Sequence, residues 1–196
     1  MLMNELFVFL AHVLPGNAGI IEGFLQPVIN PLQFLAVIAV GLISAQMGKR
    51  AIWMLPLTFI IMMSVGGIIG FVMTVFIDSA PIVPYIEAIS LVVFGIALLL
   101  QKDFSVTIAI IVVGIFALFH GYAHGEAFPP EQQSIYFFAY IFGIIISTAG
   151  LKVISVMIGF ITLRFERGTL ILRIAGLVIM LAGLFFLLEL LQIVSL

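Results

Sequence analysis

Six long apolar runs, each closed by a short polar break, make up most of the chain. The first ends near Gln46 after an unbroken stretch from Phe34, with a start as far back as Ala18, and the second runs from Ala51 to about Ile77. The others cover about Tyr85 to Leu100, Phe104 to His124, Ile135 to Leu163 and Leu170 to Leu191. Backbone groups in hydrocarbon must bond within their own segment, and these runs lack the alternation of barrel strands. The pattern therefore predicts an all-α polytopic membrane bundle of six transmembrane helices. Short loops fall at Lys49-Arg50, at Asp78 with Pro81 and Pro84, at Lys102-Asp103, at Glu126 to Glu131 with Pro129 and Pro130, and at Arg164 to Gly168.

Residues 1–14 form a separate apolar segment that is too short to span, and residues 15–196 form the single transmembrane domain. Glu5 interrupts the N-terminal segment and no Lys or Arg precedes it, so an interfacial helix competes with a signal-like reading. Neither the spacing of the spans nor their polar residues superimposes one half of the chain on the other.

Composition sharpens this picture. Of 196 residues, 64% are hydrophobic and 8% charged, and the mean hydropathy is +1.40. Seven Lys and Arg with nine Asp and Glu cannot cover a water-facing surface, so the partner is the lipid bilayer and a water-soluble fold is excluded. A net charge of −2 without a basic stripe argues against nucleic acid. Cysteine is absent, which removes disulfides, thiolate metal sites and cysteine nucleophiles. Alternating the loops across the membrane puts Lys49, Arg50, Lys102, Arg164 and Arg167 on one side, and Asp78, Glu126 and Glu131 on the other. The basic loops are then cytoplasmic and both termini lie outside.

In so apolar a chain, the residues that are costly in lipid carry the functional signal. His120 and His124 are spaced i, i+4 at the outer end of the fourth span, so their imidazoles share a helix face, and Glu126 follows. Nitrogen and carboxylate ligands together suit nickel, cobalt, zinc or copper. Imidazoles bonded to carbonyls in the membrane interface are the competing reading, and His12 is a third histidine on the same side. From Glu22 to Gln33, Pro27 and Pro31 break the helical ladder, predicting a broken or re-entrant first span with Glu22, Gln26, Asn30 and Gln33 at the break. A simple kink whose amides satisfy loosened backbone explains the same residues.

Lys152 lies about 27 Å into the fifth span by helical rise, so it needs a partner, with Glu22, Glu87 and Glu189 as candidates. Gly66 to Gly70 and Gly176 to Gly183 read as close helix packing. No serine–histidine–acid order, phosphate loop or HExxH motif occurs, so neither an enzyme nor an ATP-driven pump is supported.

The broken first span, Val40-Gly41-Leu42 and the stretch Phe119-His120-Gly121-Tyr122-Ala123-His124-Gly125-Glu126 resemble the HupE/UreJ family, from about Gly16 to Leu191. The resemblance implies a nickel or cobalt permease of a bacterial inner membrane, with His120, His124 and, after a shift of about one residue, Glu126 handling the metal. The family's first motif reads approximately His-Pro-x-x-Gly-x-Asp-His. Here it is Gln26-Pro27-Val28-Ile29-Asn30-Pro31-Leu32-Gln33, with glutamine for both histidines and Leu32 for the aspartate. The family's fifth span often has a histidine near the position of Lys152.

The resulting expectation is a small-cation permease that needs no cofactor, carries nickel or cobalt as substrate, and assembles as a homo-oligomer or with other membrane subunits. The rival is a non-transporting structural or assembly subunit of a larger membrane complex, its ion path locked by Lys152. A carrier for a neutral or anionic solute that meets Lys152 is a third reading.

Overall fold

The computed structural model describes residues 19–74, 76, 81–100, 105–128 and 134–193. The N-terminal segment 1–14, His12, Asp78, Lys102, Asp103, Pro129, Pro130 and Glu131 lie outside the described residues.

The described chain is all helical: α1 (Ile20–Ile29), α2 (Pro31–Met47), α3 (Ala51–Met73), α4 (Val83–Leu100), α5 (Val106–Glu126), α6 (Ser134–Leu163) and α7 (Gly168–Leu190). The last five are long and apolar enough to cross a membrane, and α1 with α2 makes a sixth span bent by 78°. The predicted break is therefore present, and it sits at Asn30. Pro31 has no N–H to offer the preceding turn and drives Asn30 into extended backbone, φ −87° and ψ 111°. Asn30 then caps the new helix, its Oδ1 accepting from the backbone N–H of Leu32 at 3.1 Å and of Gln33 at 3.3 Å.

Helix α2 is the axis of the molecule and touches each of the other six helices. Its run Ala36, Val37 and Ala39 to Ala45 is buried almost all round, as expected of a helix surrounded by protein. The helices around it pair through glycine. In α3 and α5, a Cβ on Gly66 would overlap the Leu118 carbonyl, and one on Gly121 would overlap the Met63 carbonyl. In α4 and α7, Gly95 and Gly176 lie against each other's backbone. Without a hydrophobic force between helices in lipid, such close approach is what holds them. Ile61, Ile68, Ile111, Ile115, Val178 and Leu181 point outward, as a lipid-facing surface requires.

Helix α5 stays helical through the histidine stretch to Glu126, two residues beyond the expected end at His124. This fixes both imidazoles on regular backbone.

Candidate functional site

Buried polar side chains gather where α2, α4 and α5 meet. Glu87 lies about one turn into α4 and His120 roughly two turns before the end of α5, so the two come to one level of neighbouring helices. Both are buried, and Glu87 Oε1 stands 3.0 Å from His120 Nδ1. This is ion-pair distance, yet no hydrogen bond forms at that nitrogen.

The other side of the imidazole explains why. Ser90 Oγ is 2.6 Å from the Glu87 carbonyl oxygen, which can only accept, so the single hydroxyl proton points there. Ser90 Oγ is also 2.8 Å from His120 Nε2, and with its proton committed it accepts from that nitrogen. In the neutral ring, Nδ1 is then a bare lone pair facing a carboxylate oxygen. Two negative ends at 3.0 Å call for a proton or a cation between them. That separation is also what two ligands about 2.1 Å from one ion, at right angles to each other, would have.

Gln33 reaches the same place from the first turn of α2. Its Nε2 donates to Glu87 Oε1 at 3.4 Å, while its own Oε1 is buried without a partner. Among the described residues, the buried side-chain polar atoms left without hydrogen bonds are Gln33 Oε1, His120 Nδ1, His124 Nδ1 and Ser147 Oγ. All but the last belong to residues singled out by sequence. Orphaned buried polar atoms are costly, and two of them, Gln33 Oε1 and His120 Nδ1, belong to side chains that meet at Glu87.

The expected trio is arranged differently from one tight shell. His120 and His124 are both 1% exposed and lie one turn apart on α5. Glu126 ends the helix half-buried, roughly 9 Å along the axis from His120, and acts electrostatically on Tyr122. Among the described residues, no three His, Cys, Asp or Glu side chains stand close enough to hold an ion by themselves. The carboxylate at His120 is Glu87, and the third donor from another helix is the Gln33 amide. Asn30 is the α2 cap. Glu22 and Gln26 are half-buried on α1 before the break, and Glu22 acts electrostatically on Tyr140 of α6.

Lys152 corrects an expectation. In place of the anticipated carboxylate, its ammonium donates to the Val37 carbonyl oxygen at 3.2 Å and lies 3.6 Å from the centroid of Phe59. An aromatic face and a backbone oxygen stand in for an anion. The sequence reading also missed the roles of Glu87, Ser90 and Phe59. Glu87 carries a usable signal: it is an ionisable residue within a span, predicted to lie at the same outer level as His120.

The family profile described as HupE / UreJ protein matches residues 1–186. Among curated proteins, Protein HupE of Rhizobium leguminosarum bv. viciae is 32% identical over 174 residues, covering 88% of this chain and 86% of the relative. No solved structure matches the chain.

Proposed function

The chain belongs to the HupE / UreJ family of membrane proteins, and we propose that it passes a small divalent cation, nickel or cobalt, inward across the bilayer. The observation that carries this reading is the bare Nδ1 of His120 facing the Glu87 carboxylate at 3.0 Å. Nitrogen, carboxylate and amide oxygen form a donor set for a borderline transition-metal ion rather than for magnesium or calcium.

In this reading, Glu126 and His124 meet the ion at the outer mouth. They hand it to Glu87, His120 and Gln33 beside the break, where Glu22, Gln26 and Asn30 line the entry and Lys152 lies further in. Basic loops on the cytoplasmic side put the histidines toward the outside. An inside-negative potential then favours entry of a dication by about 4.6 kcal/mol per 100 mV, so no ATP site is needed. The test is nickel binding to the purified protein with and without His120→Ala and His124→Ala. Equal, negligible binding in all of them removes the permease reading.

A second reading rests on Lys152. A lysine lodged on the Val37 carbonyl can occupy the place of an internal cation, which suits a non-transporting subunit of a larger complex. A stoichiometric membrane partner copurifying with a metal-free chain would favour it.

A further inference from the structure

Lys152 is nine-tenths or more buried yet has only a backbone carbonyl and an aromatic face for its charge. In its protonated form the side chain has three donors and only these two partners, so most of the charge is then uncompensated, and in this surrounding it is poorly screened by salt. Its field has a short way to travel. The Phe59 ring that Lys152 sits against also lies 6.0 Å, centroid to centroid, from the His120 ring, so ammonium and imidazole are within roughly 10 Å of each other.

Buried polar residues flank the lysine along its own helix. Thr148, Lys152 and Ser155 follow one another along one face of α6, all buried. Lys152 and Ser155 face α2, where Gln33, Val37, Gly41 and Ser44 share a face of their own, and Thr148 Oγ1 bonds the sulfur of Met63 in α3. At Gly41 there is no room for a side chain because Ser155 Oγ fills the space. On α2 this buried face runs from Gln33, beside Glu87, to Ser44, and the lysine meets it at the Val37 carbonyl.

We propose that Lys152 is the release element of the cation path, a tethered positive charge that holds down the affinity of the Glu87–His120 site so that an arriving ion is not trapped there. This rests on the cation-permease reading above. Conduction needs a site that binds well enough to admit an ion and weakly enough to let it leave. Two facing donors with an amide beside them would otherwise retain a transition-metal dication. The repulsion scales with the charge of the ion, so it acts twice as strongly on a dication as on a monovalent one.

The experiment titrates the purified full-length chain with nickel ion alone by calorimetry, at one pH, for the wild type, Lys152→Gln and Lys152→Arg. Coulomb's law at this separation gives Lys152→Gln an affinity higher by about fourfold if the dielectric is that of water, and by a few hundredfold at the lower effective value of a protein. Lys152→Arg keeps the charge and the wild-type affinity. In proteoliposomes, Lys152→Gln binds more tightly yet admits nickel more slowly, a split that a merely structural lysine would not produce.

Wild-type or weaker binding by Lys152→Gln overturns the proposal, as does an arginine variant that binds as tightly as the glutamine one. Should Lys152→Gln fail to fold, Lys152→Met, an unbranched side chain able to pack on Phe59, carries the same expectation. Absence of nickel binding in the wild type and every variant overturns the cation reading itself. A wild type that binds nickel and does not respond to loss of the lysine overturns the release element alone.

Discussion

Glu87 and His120 meet at 3.0 Å in the protein interior with the imidazole nitrogen that faces the carboxylate making no hydrogen bond. A purely structural pair would close that gap with a shared proton in line. Glu87→Gln keeps the shape and removes the charge. It should lower nickel affinity at least about tenfold while leaving the thermal unfolding temperature in detergent unchanged or higher, since a buried charge is costly to hold. Lower stability with undiminished nickel binding would make the pair structural.

The α3–α5 contact sets the position of His120, because Gly121 follows it directly and lies against the backbone of Met63. Gly121→Ala would drive a methyl group into that carbonyl and push the helices apart. The expected loss is about 1–3 kcal/mol of stability, together with weaker nickel binding as His120 moves off Glu87. Gly150→Ala has nothing within 4 Å of the added carbon and should unfold at the wild-type temperature or slightly above it. Thermal denaturation of both variants in the same detergent checks the contrast.

The break between α1 and α2 depends on the Asn30 cap, and Gln33, whose N–H the cap accepts, also reaches Glu87. Asn30→Ala should cost about 1 kcal/mol and loosen the first turn of α2, lowering nickel affinity through Gln33. Asn30→Asp keeps the accepting oxygen and should retain both properties. Equal affinity in all three proteins would separate the cap from the site.

Much of this architecture is legible in the chain because lipid makes every polar residue conspicuous. Lys49-Arg50 and Arg164 to Gly168 mark ends of spans for that reason, and Asn30-Pro31 marks the bend because proline restricts its own and its neighbour's backbone. The i, i+4 spacing of His120 and His124 is likewise local, and the helix delivers it. What surrounds His120 is not local. Glu87 and Ser90 reach it across the α4–α5 contact, and the spacing of residues within either run says nothing about which faces meet. Lys152 shows the same limit: a buried ammonium demands a partner, but a carbonyl and an aromatic ring satisfy part of that demand without leaving a mark in the sequence.

Orientation can be checked on a background free of cysteine. Ser105 is exposed at the start of α5, with no side-chain capping bond to lose, and Ala127 is exposed just past its other end. With the basic loops in the cytoplasm, Ala127→Cys should react with a membrane-impermeant maleimide on intact cells, and Ser105→Cys only after permeabilisation. The opposite pattern would invert the direction assigned to the path.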